Sequence, residues 1–360
     1  MKASDIVARR MRLQRISGPP AHKFATPADA VRWFGAVQAQ DYPAARWAIG
    51  LRLRAAVEAD VDAAFDRGEI LRTHVLRPTW HLVTPEALRW MVTLTAPRIR
   101  AQGSHRDREL GLDERLFARS QAAIARALEG GKHATRIELG TVLTRAKLAG
   151  EPQQRTHILM RAELDGLICS GPLRGKQHTY ALIDERVPAP RTSFTRDASL
   201  AELARVFFTS RGPATLKDFA WWSGLTLAQA RESAELVTPR LGSDRLDDKT
   251  YFFADGEPVR TERGPTVHLL PNYDEYLVPY VDRDGTLDAQ QRKKLDPRGG
   301  SIFQNVVLVG GRIAGTWRRT LTKGRVRVAP LLLAPMSATE KAGLAAAIER
   351  YARFLGRSVG

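Results

Sequence analysis

Two glutamines separated by one residue, Gln38 and Gln40, are the side chains whose type and spacing stand out in this 360-residue sequence. On an extended backbone both amides would lie on one face, whereas in a helix they would be about 200° apart. Their cooperation therefore requires the preceding helix to end near Val37. Asp41-Tyr42-Pro43 favours that end, because the residue before a proline is disfavoured in helical geometry. The alternative is structural, with both amides satisfying buried backbone groups at a helix end.

Other residues allow different chemistry, and spacing decides among them. Asp41 would be a far stronger base than either amide, but on an extended backbone it lies on the opposite face. His74 and His81 lie on a predicted hairpin and could face each other. With no Cys or carboxylate at ligand spacing, a structural or DNA-contacting role is favoured over a metal site. We expect neither a metal nor an organic cofactor.

Several common catalytic motifs are absent from the sequence. It contains no Gly-x-Ser-x-Gly and no His-Glu-x-x-His. The run Gly171–Lys176 is one residue too short for a phosphate-binding loop, and no Ser or Thr follows it. Nucleotide hydrolysis and zinc proteolysis are therefore disfavoured.

The charge balance favours a polyanionic partner. Lys and Arg number 56 against 39 Asp and Glu, giving a net charge of +17 and a pI near 10.5. The basic residues are spread along the chain, which favours nucleic acid bound by a folded surface. A compositional preference for Arg in a high-GC genome is the open alternative.

The remaining composition predicts a cytoplasmic, nucleoid-associated protein. The single cysteine, Cys169, excludes an intramolecular disulfide and a Cys-rich zinc site. The N-terminus has no apolar leader, and no window of 18 uninterrupted apolar residues occurs. We expect no membrane partner.

Two segments share one order of elements: three helices and then two short strands. In the first copy the elements are Leu116–Leu128, Arg136–Leu148, Gln153–Leu164 and a hairpin over Leu167–Ile183 with a basic loop, Gly171–Lys176. In the second copy they are Leu200–Thr209, Leu216–Ser223, Leu227–Leu236 and strands around Thr238–Phe253 with a loop at Gly242–Arg245. This order predicts winged helices, whose recognition helix and wing commonly contact DNA. Packing or protein interaction is the alternative role.

The two ends of the chain complete the predicted organisation. The N-terminal part resembles a third, modified copy, with helices from Pro27 to about Val37, Pro43–Leu53 and Val61–Arg67, then strands Ile70–Leu76 and Thr79–Val83. The C-terminal part is β-rich, with a turn at Gly310-Gly311, and ends in a helix over Ala338–Leu355. We predict an α+β, mainly helical protein of three tandem winged helices and a C-terminal β-barrel-like domain. The predicted boundaries are 1–112, 113–190, 191–257 and 258–360.

Three motifs in order resemble the winged-helix DNA glycosylase family typified by AlkZ. They are Val37–Tyr42 around the two glutamines, Leu71–His81 and Leu270–Leu277. The resemblance spans nearly the whole chain. The family divides into a Gln-apolar-Gln branch, which is AlkZ-like, and a Gln-apolar-Asp branch, which is YcaQ-like. Gln38-Ala39-Gln40 is similar to the first, although Ala39 is small for the middle position.

The resemblance implies hydrolysis of the N-glycosidic bond of bulky alkylated purines of the N7-alkylguanine type, including unhooking of interstrand cross-links. It implies a monofunctional enzyme that acts on double-stranded DNA, and we expect a monomer. Gln38 and Gln40 would hold the attacking water through their carbonyl oxygens, while their amide nitrogens fix the orientation. The candidate DNA-binding residues are Arg72, His74, Arg77, Trp80, His81, Arg174, Lys176, Tyr273, Asp274 and Arg318.

Two further expectations concern the hairpin and the third motif. Arg77-Pro78, near the hairpin tip, would suit insertion into a DNA groove. The segment Asn272–Tyr276 either borders the DNA or forms buried hydrogen bonds that join two domains. A different class of function also remains: a non-catalytic tandem winged-helix DNA-binding or regulatory protein, with both glutamines structural. Amides that open into a basic concavity favour the enzyme, and amides in apolar packing favour the binding protein.

Overall fold

The computed structural model describes residues 2–189, 194–254, 266–281, 285–287, 293, 295 and 304–360. The predicted domain limits near residues 190 and 257 lie outside this part of the chain. No helix within the described ranges has the length and apolar character to cross a membrane.

The N-terminal unit surrounds a three-stranded antiparallel sheet. Its elements are α1 (Ala3–Leu13), α2 (Pro27–Phe34), β1 (Ala36–Gln38), α3 (Tyr42–Gly50), α4 (Glu58–Asp66), β2 (Leu71–His74), β3 (Trp80–Val83) and α5 (Pro85–Glu109). The strand order is β1-β3-β2. Thr26 caps α2 through a bond from the Asp29 N–H, as its sequence predicts. The helix ends at Phe34, three residues before the predicted Val37, because Gly35 adopts φ +70°.

The second unit has the predicted order of three helices and a hairpin. Its elements are α6 (Glu114–Leu128), β4 (Ala134–Thr135), α7 (Arg136–Arg145), α8 (Pro152–Leu164), β5 (Ile168–Ser170), β6 (Thr179–Leu182) and α9 (Ile183–Arg186). Thr135 caps α7 in a capping box with Glu138. The short strand β4 joins the hairpin on the β6 side, giving the order β4-β6-β5.

The third unit repeats this order. Its elements are α10 (Arg196–Arg211), α11 (Leu216–Ser223), α12 (Leu227–Glu235), β7 (Leu241–Leu246) and β8 (Lys249–Ala254). The predicted loop at Gly242–Arg245 is wrong, since these residues lie within β7 and pair with β8. The turn is at Asp247-Asp248, where Asp247 adopts φ +52°. The β7–β8 hairpin is therefore acidic at its turn.

The C-terminal part forms a half-barrel sheet with a helix packed on it. Its elements are β9 (Val267–Leu270), β10 (Val306–Val309), β11 (Arg312–Thr322), β12 (Arg325–Leu332), α13 (Ala338–Phe354) and β13 (Ser358–Val359). The strand order is β13-β12-β11-β10-β9. The predicted turn at Gly310-Gly311 is confirmed, and both glycines have positive φ.

Two hydrophobic cores meet at strand β1. Val37 packs in a core that joins the N-terminal unit to the C-terminal sheet and α13, whereas its neighbour Ala36 packs in a core shared with the third unit. Successive residues of a strand point to opposite faces, so β1 is held from both sides. A third core belongs to the second unit. Gln38 therefore ends, and Gln40 follows, a strand that is fixed between two cores.

Candidate active site

The backbone of the tripeptide is extended as far as Ala39. Gln38 lies opposite His81 in the β1–β3 pair, and the Ala39 N–H donates to the Trp80 carbonyl at 2.7 Å. The Ala39 carbonyl accepts from Arg72 Nε at 3.0 Å. A helical tripeptide is thus excluded, as the joint use of both amides requires.

Gln38 is nearly enclosed and is held at two points. Its side chain is 5% exposed, and its Oε1 accepts from Arg77 Nη2 at 2.9 Å. Its backbone N–H donates to Glu275 Oε1 at 2.8 Å. These contacts involve charged partners, which make stronger hydrogen bonds than neutral groups do. Gln38 therefore has a fixed orientation.

Gln40 has a different environment, because its side chain is exposed. Its Oε1 accepts from the backbone N–H of Trp80 at 3.3 Å, a long bond. Both amide oxygens thus accept from residues of the β2–β3 hairpin and its tip. This differs from the expectation that the oxygens are free for water and the nitrogens do the anchoring.

Asp41 acts as the cap of α3. Its Oδ1 accepts from the Ala44 N–H at 3.1 Å, and its Oδ2 accepts from Asn272 Nδ2 at 3.1 Å. A cavity of about 90 Å³ adjoins Asp41 and is lined also by Trp317 and Arg319. Since both oxygens of Asp41 are engaged, the carboxylate is poorly placed to act as a general base.

Trp80 is the centre of a stacked group on one face of the hairpin. The Arg72 guanidinium lies 4.3 Å from its ring centroid, and the His74 ring centroid is 4.6 Å away. His74 Nδ1 in turn forms a short contact with Glu163 of α8. Trp80 and Arg72 remain partly exposed. His74 is only 6% exposed, and its Nδ1 is engaged by Glu163. Direct DNA contact by His74 is therefore not supported; its ring packs against Trp80 instead.

His81 also requires a correction. Its side chain is fully buried, and its Nδ1 bonds the Thr79 carbonyl at 3.0 Å, so it cannot contact DNA in this conformation. Burial, with a smaller effect of Arg77, lowers the pKa of His81 well below its usual value. His81 pairs with Thr73 and His74 pairs with Trp80, so the two histidines lie on opposite faces and cannot share a metal ion.

The hairpin tip is anchored rather than projecting. Val75 and Leu76 are buried, and Leu76 adopts φ +65°. Arg77 lies between Gln38 and the third unit, with its guanidinium 5.4 Å from the Trp221 ring centroid. Pro78 is exposed. Insertion of Arg77-Pro78 into a groove is thus disfavoured, because Arg77 is already bound inside the protein.

The third motif forms the buried network that was one of its two predicted roles. Asp274 is fully buried and bonds Arg52 through both oxygens, at 2.7 and 2.9 Å. Glu275 Oε2 accepts from Arg211 Nε at 3.0 Å. The predicted DNA contact of Asp274 is therefore not supported. Tyr273 is partly exposed and adopts φ +58°.

The remaining candidates lie on the surface. Arg174 and Lys176 are exposed in the loop of the β5–β6 hairpin, which the sequence predicts to be a wing, and Arg174 pairs with Glu138 at 2.7 Å. Arg318 is exposed on β11. The structure brings Arg72, Arg77 and Trp80 to the glutamines. Arg174, Lys176 and Arg318 belong to other elements, and their contacts with DNA stay predictions.

Comparisons with known proteins identify the family. The profile of the family described as "DNA glycosylase AlkZ-like" matches residues 31–354, about nine tenths of the chain. The chain belongs to the AlkZ-like DNA glycosylase family. It is 24% identical over 379 residues to the "Interstrand DNA cross-link repair glycosylase" of Streptomyces sahachiroi, covering 100% of this chain and 98% of that protein. The family assignment from the three motifs is confirmed.

A solved structure has the same fold. The Streptomyces sahachiroi DNA glycosylase AlkZ superposes with a TM-score of 0.81 at 22% sequence identity, covering 100% of this chain and 99% of that one. The match confirms the mixed helical and strand architecture with its half-barrel sheet.

Four residues that hold the surroundings of the two glutamines were not predicted as site residues from the sequence: Glu163, Arg211, Trp221 and Glu275. Glu163 and Arg211 are buried charges, and each is 1% exposed or less. The adjacent tryptophans Trp221-Trp222 predict core packing, but Trp221 is 46% exposed and only Trp222 is buried. For Glu163 and Arg211, the available signal was a charged residue at an apolar position of a helix. Their partners, His74 and Glu275, are distant in the chain and cannot be predicted from spacing.

Proposed function

We propose that this protein is a monofunctional DNA glycosylase that removes bulky N7-alkylated purines, including cross-linked ones, from double-stranded DNA. The observation that carries the proposal is the joint anchoring of two glutamine side chains beside one partly exposed Arg–Trp pair. The name of the Streptomyces sahachiroi relative, an interstrand cross-link repair glycosylase, supports a cross-link as substrate.

The proposed chemistry needs little acid or base strength. An N7-alkylated purine is cationic, so the bond between C1′ and the base nitrogen can break with its electron pair passing to the base, which leaves neutral. The sugar then carries oxocarbenium-like charge, as in glycosidases. A water held by the glutamines adds to C1′ and its surplus proton passes to solvent. Positioning of water, not proton abstraction, is the main contribution of the amides.

The surrounding elements suit this substrate. The three repeated units of helices and hairpin are proposed to be winged helices, which together with the half-barrel would form a track for one duplex and require no second copy. The basic charge of the chain supports binding to the phosphate backbone. A base tethered to the opposite strand cannot flip freely, so recognition without a tight pocket fits a cross-link. Such a substrate would place the protein on the chromosome in the cytoplasm.

Substitution of Gln40 tests the proposal. Purified protein is incubated with duplexes that carry one N7-alkylguanine or a nitrogen-mustard cross-link, and heating in alkali reveals abasic sites. We expect Gln40→Ala to abolish base release while affinity for DNA changes by less than tenfold, about 1.4 kcal/mol.

Absence of release by the wild type across a broad lesion panel would favour the non-catalytic DNA-binding alternative. The exposure of Gln40 beside Trp80 weighs against that alternative, whereas the near-complete burial of Gln38 supports a partly structural role for the first amide.

A further inference from the structure

The two glutamines accept hydrogen bonds from donors of different charge. The donor to Gln38 is the guanidinium of Arg77 at 2.9 Å, and the donor to Gln40 is a neutral backbone N–H at 3.3 Å. Arginine and a backbone N–H can only donate, so both contacts are necessarily made by the amide oxygens. Each amide therefore directs its oxygen toward the hairpin.

The charge of the donor changes what an amide can do next. A cationic donor draws electron density from the amide, which weakens its oxygen as an acceptor and strengthens its NH₂ group as a donor. A long bond from a neutral N–H has a much smaller effect. A carbonyl oxygen has two lone pairs, so Gln40 keeps an acceptor site of nearly full strength.

Arg77 is held in place by contacts on two sides. Its guanidinium is placed between Gln38 and the Trp221 ring. Burial lowers the pKa of Arg77, and the nearby Glu275 carboxylate offsets only part of this effect. Gln38 is fixed at the same time through its backbone bond to Glu275. Among the described residues, Gln38 Nε2 has no hydrogen-bond partner. The atom is not fully enclosed by the protein. That nitrogen is where Gln38 meets the surface.

We propose that Arg77 is a positioning residue that makes the two glutamines unequal, so that Gln38 donates through Nε2 to an oxygen of the damaged nucleotide and Gln40 accepts from the attacking water. This inference rests on the proposed glycosylase function. It replaces the symmetric use of two carbonyl oxygens by one donor and one acceptor.

Substitution of Arg77 tests the positioning role under single-turnover conditions. We expect Arg77→Ala to lower the rate at saturating enzyme by about 100-fold, because a misplaced group costs that much, while the half-saturating enzyme concentration changes less than threefold. Arg77→Lys should retain an intermediate rate. Guanidinium ion at tens of millimolar should raise the rate of Arg77→Ala but not that of Gln38→Ala. Arg126→Ala, which removes an exposed charge on α6, is the matched control.

Carboxylate substitutions test the division between donor and acceptor. Gln38→Glu removes the NH₂ donor and places a second charge opposite Arg77, so we expect loss of base release. Gln40→Glu keeps acceptor oxygens, so we expect it to remain active at neutral pH. The reverse order of activities would overturn the proposal.

The outcomes separate this inference from the proposed function. An inactive wild type contradicts the glycosylase function itself. An active wild type with unchanged Arg77 variants contradicts only the positioning role, as does a loss confined to the half-saturating concentration, which would make Arg77 a DNA contact. Melting temperatures show whether Arg77→Ala is unfolded. If it is, the activities of Arg77→Lys, Gln38→Glu and Gln40→Glu test the positioning role.

Discussion

Asp41 carries the carboxylate that follows the second glutamine directly in the sequence. The structure assigns its two oxygens to the Ala44 N–H and to Asn272, so it fixes the start of α3 and ties that helix to the third motif. The carboxylate thus has the hydrogen bonds of a helix cap, and we expect it not to act as a base.

Two substitutions of Asp41 separate these roles. Asparagine caps helices as well as aspartate does, so we expect Asp41→Asn to keep base release within about threefold. We expect Asp41→Ala to lower the free energy of unfolding by about 1 kcal/mol. Chemical denaturation and single-turnover kinetics measure the two effects. A loss of about 100-fold or more in Asp41→Asn would instead identify a general base.

Single residues also show what sequence can supply. The spacing of Gln38 and Gln40 and the proline at position 43 predict an extended tripeptide ahead of α3. The structure is extended through Gln38 and Ala39, and Gln40 lies in a bend before the helix. The anchors of that tripeptide come from Arg77, Trp80 and Glu275, which are 39, 40 and 237 residues away from their partners. Such contacts depend on tertiary packing, which local patterns do not encode.

At the scale of elements, the hairpin that carries Arg77 is seated against the third unit. Gly224, which ends α11 at φ +72°, would place a Cβ only 2.0 Å from the Leu76 carbonyl oxygen. No side chain fits there while the tip keeps its position. The glycine thus permits the contact that orients Arg77 toward Gln38.

Gly224→Ala tests this contact. A non-glycine residue in left-handed geometry costs roughly 1–2 kcal/mol. We expect Gly224→Ala to lower the free energy of unfolding by more than this cost, and to reduce base release by displacing the hairpin tip. Gly166→Ala is the matched control, since Gly166 has φ +75° and an added Cβ meets nothing within 4 Å. Thermal unfolding and base release compare the two. Equal losses in both variants would show that the tip does not depend on close packing.

Helix α8 was predicted from the sequence, but its packing against a neighbouring helix was not. The boundaries of α8 follow from its sequence. In a DNA-bound winged helix, the corresponding helix would lie in the major groove. In the structure it packs on α5, with His157 bonded to Asp107 at 2.6 Å and Gln154 bonded to the Leu110 carbonyl. The local pattern predicts the helix but not the face that a neighbouring unit covers.

At the scale of the whole molecule, the net charge of +17 predicts DNA binding that weakens steeply with salt. In the second unit, the exposed basic residues of the predicted set are Arg174 and Lys176, which lie in the loop of the hairpin that the sequence predicts to be a wing. The family and the mixed architecture were predicted correctly from motif order, because tandem units keep their order of elements even where identity is low.

The wing prediction is tested by salt dependence. We expect Arg174→Ala combined with Lys176→Ala to reduce the slope of log K against log salt by up to about 2, since each lost phosphate contact removes about one. The rate of base release at saturating enzyme should not change. Affinities for an undamaged duplex at several salt concentrations give the slope. An unchanged slope would place this wing away from DNA.

The central claim is that the paired amides perform the chemistry on an already activated base. The most direct measurement is single-turnover release of one N7-alkylguanine from a duplex by the wild type and by Gln38→Ala/Gln40→Ala. The account predicts a loss of at least about 1,000-fold in the double variant, with the DNA still bound. Equal release by the two proteins would contradict it.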